Sequence, residues 1–152
     1  MTDQPTAGRL HGRVHRLPVR VYYEDTDFTG LVYHANYVRY FERGRSDFLR
    51  LVAGDHSGLL ERERPLAFVV TRMDLRFLKA ARIDDALIVE TTYDAIRGPR
   101  LIISQAIVRA GERLCEAAVE AACIDLGGRP MRPPADMVAT LKPWLIDQAS
   151  SA

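Results

Sequence analysis

Hydrophobic and polar positions change period along this chain, and each change marks an element. From Pro18 to Tyr23 they alternate, with Val19 and Val21 on one side and Arg20 and Tyr22 on the other, which predicts a short strand. Glu24 to Gly30 is polar and contains a glycine, so it reads as a loop. From about Asn36 the period lengthens. Tyr37, Val38, Tyr40, Phe41, Phe48, Leu49 and Val52 fall on one helical stripe, and Gly54 is a stop signal. The expectation is a helix of roughly five turns, buried along one side. Gly44 interrupts the stripe. An interior glycine costs about 1 kcal/mol against alanine, so its presence predicts close packing against the helix.

Period two returns after Pro65. Val69, Thr71, Met73, Leu75 and Phe77 share one parity, while Arg72, Asp74 and Arg76 are on the other, which predicts a strand. Leu87, Val89, Thr91 and Tyr93 predict the next strand. A turn at Arg97-Gly98-Pro99 leads into a strand through Leu101, Ile103, Gln105 and Ile107. Arg113 to Asp125 is ambiguous. Its alanines and the four-residue spacing of Glu116 and Glu120 favour helix, whereas the short links before it favour a continuing antiparallel meander. Strand is the reading adopted. After Pro133-Pro134, Asp136 to Leu145 predicts a short C-terminal helix. The order is strand, helix, then four strands: an α+β domain with a long helix on a five-stranded antiparallel sheet. Residues 17–145 form the single domain. Residues 1–16 are expected to be a frayed tail and 146–152 a second one.

Composition narrows the function. The chain has 152 residues, 47% of them hydrophobic, enough for a sizeable core. Its 21 Lys and Arg nearly balance 20 Asp and Glu, which argues against a nucleic-acid surface. No apolar run suggests a membrane span or a secretion signal, so a cytoplasmic location is expected. Cys115 and Cys123 on one strand would lie about 26 Å apart, too far for a disulfide. Both read as small buried hydrophobes. Serine-hydrolase, dinucleotide and P-loop motifs are missing. His11 and His15 are four apart but lack the glutamate of a zinc-protease helix.

The dense feature is Tyr23-Glu24-Asp25-Thr26-Asp27-Phe28-Thr29-Gly30-Leu31-Val32-Tyr33-His34-Ala35-Asn36-Tyr37. It puts three carboxylates, a glycine and a histidine just ahead of a helix, with Asn36 as a candidate cap. A carboxylate can attack a carbonyl or activate water. A helix start supplies free N–H donors and a positive dipole end for a developing oxyanion.

Residues Tyr23 to Arg45 resemble the signature of the 4-hydroxybenzoyl-CoA thioesterase family, and most closely its acyl-CoA thioesterases associated with the Tol–Pal envelope system. The resemblance continues through Phe68-Val69-Val70 and Ala81-Arg82-Ile83-Asp84-Asp85 to Asp125. It implies the hot-dog fold, a helix wrapped by an antiparallel sheet, and supports the strand reading of Arg113 to Asp125. It implies an acyl-CoA or acyl-carrier-protein thioester as substrate, with no metal or redox cofactor, since coenzyme A belongs to the substrate. It also implies homodimers, often paired into homotetramers. Asp27 matches the catalytic aspartate, and the His34 backbone N–H matches the donor that polarises the thioester carbonyl. For the His34 side chain two roles stay open, orienting water or Asp27, and capping the helix. Gly30 matches the glycine that turns the loop back, and Tyr33 an aromatic position lining the acyl site. Phe68, Val69 and Val70 match strand residues beside the acyl and pantetheine arm. Arg97 and Arg100 fall near a basic cluster for the CoA phosphates. Glu24 and Asp25 are assigned to loop support. Where the 4-hydroxybenzoyl enzymes have proline after the aspartate, this chain has Phe28, so aromatic acyl specificity is not implied.

Overall fold

A computed structural model describes residues 3–5 and 7–148; residues 1, 2, 6 and 149–152 of the two expected tails lie outside them. The strands are β1 Arg9–His11, β2 Val14–Arg20, β3 Ala67–Phe77, β4 Ala86–Arg97, β5 Arg100–Arg109 and β6 Glu112–Ile124. The helices are α1 His34–Ala53, α2 His56–Leu60 and α3 Ala135–Leu141, and a 3₁₀ turn over Lys142–Trp144 extends α3. All pairings are antiparallel, in the order β1-β2-β4-β5-β6-β3. This is the hot-dog arrangement with six strands, one more than expected.

The extra strand comes from the segment expected to fray. Residues Arg9 to His11 pair with Val14 to Arg16, and β2 goes on to pair with β4. Its alternation is hidden because an inward position is polar: His15 is fully buried. Its Nε2 lies 2.6 Å from Asp47 Oδ2 on α1, which also accepts the Gly8 N–H at 2.8 Å. Inside the core a histidine is tolerated because it has this partner.

The predicted stripe of α1 is its buried face, with Tyr37, Tyr40, Phe41, Phe48 and Leu49 in the core. Gly44 explains itself: a Cβ there would lie 2.7 Å from Thr91 Oγ1 and 2.8 Å from Val89 Cγ1 of β4. The helix lies against the sheet at that point, with no room for a methyl group. A polar network ties the two layers together. Gln105 Nε2 donates to the Phe41 carbonyl at 2.8 Å and to Thr91 Oγ1 at 2.9 Å. Arg45 Nη1 donates to Gln105 Oε1 at 3.0 Å, and the Tyr93 hydroxyl donates to the Arg45 carbonyl at 3.0 Å.

Segment Arg113–Asp125 is a strand, as the meander argument predicts. Cys115, Ala117, Val119, Ala121 and Cys123 alternate into the core, a period-two pattern that outweighs alanine's helical propensity. Both thiols are buried, and burial pushes each up to about 11, which leaves them poor nucleophiles. One expectation for β3 fails. A register shift between Val70 and Arg72 breaks the single parity from Val69 to Phe77. Phe68 and Val70 oppose Cys123 and Ala121, while Met73, Leu75 and Phe77 oppose Val119, Ala117 and Cys115. Val69, opposite Ala122, therefore faces the other side. A bulge moves every later side chain by one face.

Candidate active site

The polar loop between β2 and α1 folds as a small hairpin closed by a bridge from Thr26 to Val32. Asp27 N–H donates to the Leu31 carbonyl at 2.9 Å, and Gly30 N–H returns to the Asp27 carbonyl at 3.1 Å. Gly30 has φ +80°, where a side chain would be strained, so the glycine is needed for the turn. The next loop braces this one. Val32 N–H reaches the Ala81 carbonyl at 2.9 Å, and Val21 exchanges hydrogen bonds with Asp84 and Asp85.

Asp25 is a support, as expected. Its carboxylate accepts the Tyr22 N–H at 2.8 Å, and its carbonyl accepts Tyr33 N–H at 2.9 Å and Asn36 Nδ2 at 2.7 Å. Asn36 is thus a bolt between loop and helix, not the cap; Tyr33 holds the cap position without a side-chain bond. Glu24 is exposed.

Asp27 is also exposed. Its Oδ1 accepts the Thr29 hydroxyl at 2.5 Å and the Thr29 N–H at 2.8 Å. These bonds favour the ionised form and hold the carboxyl below its usual range. Thr29 was not singled out in the sequence. The signal for it is the Asp-x-Thr spacing, which favours this local turn.

His34 opens α1. The Asn36 N–H is taken by the Tyr33 carbonyl at 2.8 Å, but the first N–H groups of a helix have no intrahelical acceptor. The His34 N–H is therefore left without an intrahelical acceptor, at the end of α1 that follows the Asp27 hairpin in sequence. The His34 ring is exposed and lies 4.5 Å from the Tyr33 ring.

Phe68, Val69 and Val70 meet elsewhere. They line a cavity of about 160 Å³ with Glu42, Arg45, Ser46 and Leu49 of α1 and with Tyr93, Leu101, Ile103 and Ala121. None of Asp27, Gly30, Tyr33 or His34 lines it. Along α1, this cavity begins about 12 Å beyond His34, with Tyr37, Tyr40 and Phe41 buried in between. A single chain does not bring the two halves of the expected site together.

Arg97 and Arg100 close the β4–β5 turn as an exposed opposed pair. Arg100 opposes Ala122, which opposes Val69, so Arg100 and Val69 are two strands, about 10 Å, apart. A second groove of about 500 Å³ lies near the same end, lined by Arg62, Arg64, Arg132, Glu63, Asp136, Met131 and Pro134. Arg62 Nη2 is 2.6 Å from Asp136 Oδ1. These arginines read in sequence as ordinary solvated charges, and only folding groups them. Among the described residues no cluster of three His, Cys, Asp or Glu is placed to hold a metal.

Relatives carry the same elements. The model of the thioesterase-like superfamily matches residues 21–145. The acyl-CoA thioesterase YbgC of Haemophilus influenzae is 46% identical over 110 residues, 72% of this chain and 80% of that protein. The acyl-CoA thioester hydrolase YbgC of Escherichia coli O6:H1 is 42% identical over 135 residues, 88% and 99% of the two chains. The crystal structure of a probable thioesterase from Bartonella henselae superposes with a TM-score of 0.77 at 40% identity, covering 80% of this chain and 99% of that one. With the hot-dog sheet, the hairpin ahead of the long helix and a family match over most of its length, this chain belongs to the thioesterase-like superfamily.

Proposed function

We propose that this thioester hydrolase cleaves acyl-CoA to a free acid and coenzyme A at the end of α1, with Asp27 as the reacting carboxylate. The observation that carries the reading is the pairing of an exposed, ionised Asp27 with the open N-terminus of α1 across one short hairpin. The thioester carbonyl oxygen accepts the His34 N–H, and the helix dipole steadies the charge that develops there. Asp27 attacks the carbonyl carbon or deprotonates a water that does so. Both routes need the ionised carboxylate, which the Thr29 bonds favour. Attack forms an acyl–Asp27 anhydride and releases the CoA thiolate, which takes up a proton. Water then splits the anhydride to the acid and restores the carboxylate.

A second copy of the chain completes the site. β3 is an edge strand of 11 residues, with Val69, Val70 and Phe77 about half exposed. A bare edge of this length is a template for pairing. Pairing two β3 edges about a two-fold axis reverses the second copy's helix. One copy's His34 then lies towards the C-terminal half of the other copy's α1, where Phe68, Val69 and Val70 line the cavity. Arg97 and Arg100, with the Arg62, Arg64 and Arg132 groove, put positive charge near the same end for the CoA phosphates. A CoA substrate places the enzyme in the cytoplasm, where CoA thioesters are used.

Release of free thiol from a panel of acyl-CoAs, set against the same acyl groups on acyl carrier protein, tests the reading. Turnover of the CoA thioesters is expected. No thiol release from any acyl-CoA would overturn it.

A further inference from the structure

The cavity between α1 and β3 is apolar on its floor, where Tyr93, Leu101, Ile103 and Ala121 are buried. One charge is built into it. Arg45 is 8% exposed, and among the described residues it belongs to no ion pair. Its Nη1 is fixed by Gln105 Oε1 at 3.0 Å, and Gln105 is itself fixed by the Phe41 carbonyl and Thr91. The neighbouring carboxylate, Glu42, lies at the exposed rim and accepts the Ser46 hydroxyl at 2.5 Å. Burial acts against the guanidinium's charge. An arginine with five donors is therefore held rigidly at the wall of a half-open pocket, with one of them on a neutral amide.

A buried cation helped only by the charge of Glu42, outside ion-pair distance, is costly, and a ligand carboxylate that enters its cavity relieves that cost through charge-assisted hydrogen bonds. The cavity holds about 160 Å³, close to the size that accepts a benzene-sized guest in an engineered core, about six heavy atoms. We propose that this cavity is an acyl pocket for chains with a polar far end, and that Arg45 binds a terminal carboxylate on an acyl group about six carbons long. The substrate class is then the mono-CoA thioester of a short dicarboxylic acid. Phe68 and Val70 contact the methylenes, and Gln105 aims the guanidinium. This assignment rests on the proposed thioesterase site and on its completion across β3.

The test compares kcat/KM for adipoyl-CoA and hexanoyl-CoA, equal in length and different at the far end. Wild type is expected to prefer adipoyl-CoA about 10- to 100-fold, the value of a hydrogen bond to a charged group. Arg45→Met should bring that ratio to one or below, and Arg45→Lys should keep part of it. A purely structural Arg45 would lower both rates together and leave the ratio unchanged. Should Arg45→Met fail to fold, Arg45→Gln, which keeps a polar side chain beside Gln105 but no charge, must erase the same preference. A wild-type ratio near one, or a ratio that Arg45→Met leaves intact, overturns the assignment while hydrolysis of both substrates upholds the thioesterase reading. Hydrolysis of neither would overturn both.

Discussion

At the scale of single residues, Asp27 stands out through the family resemblance, because three carboxylates near a glycine also read as a solvated acidic loop. Thr29 does not stand out, because its role depends on a local turn. Both of its hydrogen bonds end on Asp27 Oδ1, and they lower that carboxyl's pKa. The sign follows directly. A reaction that needs ionised Asp27 runs at full rate above the lowered value and fails as pH falls through it. The acid limb of kcat/KM is therefore expected below the ordinary carboxylate range. Thr29→Ala removes the hydroxyl bond and should move that limb to higher pH. An unmoved limb would separate Thr29 from the working state of Asp27. The basic side of the site was only half legible. Arg97 and Arg100 stand in a recognisable turn, whereas Arg62 and Arg64 are far from Arg132 in sequence and meet it only around a groove.

At the scale of elements, periodicity carried α1, β4 and β5 because their inward positions are nearly all apolar. It failed where an inward residue is polar or where the register breaks. His15 masked β2, since the Asp47 partner that permits its burial lies on another element. The bulge in β3 put Val69 on the opposite face from Met73, Leu75 and Phe77, and spacing alone cannot show such a slip. Gly44 is the element-level test. Alanine there gains about 1 kcal/mol of helix propensity, but its methyl group would press on Thr91 and Val89 at 2.7 and 2.8 Å. Overpacking of this kind costs about 1–3 kcal/mol, so the balance favours loss. Denaturant unfolding of Gly44→Ala should show a lower midpoint with an unchanged slope. A stabilised variant would mean that helix and sheet are not in contact there.

At the scale of the whole molecule, one chain holds Asp27 and the cavity beside β3 apart, and the proposed pairing of a second copy across β3 would reunite them. Subunit mixing tests this directly. Asp27→Asn lacks the carboxylate, and Val70→Trp fills the cavity. A mixed pair still contains one intact site, formed from Asp27 of one chain and the cavity of the other. Each mixed pair should therefore have about half the activity of a wild-type pair, so an equimolar mixture that pairs at random should recover about a quarter, by two-fold symmetry. No recovery on mixing, with hybrid formation shown independently, would place carboxylate and cavity in the same chain. The central claim, hydrolysis through Asp27 at the start of α1, is tested most directly by kcat/KM for Asp27→Asn on an acyl-CoA that the wild type cleaves. The fold should persist, because the side chain is exposed and bonded only to Thr29, and the rate should fall by at least about 10²-fold. Wild-type turnover by a folded Asp27→Asn enzyme would contradict the account.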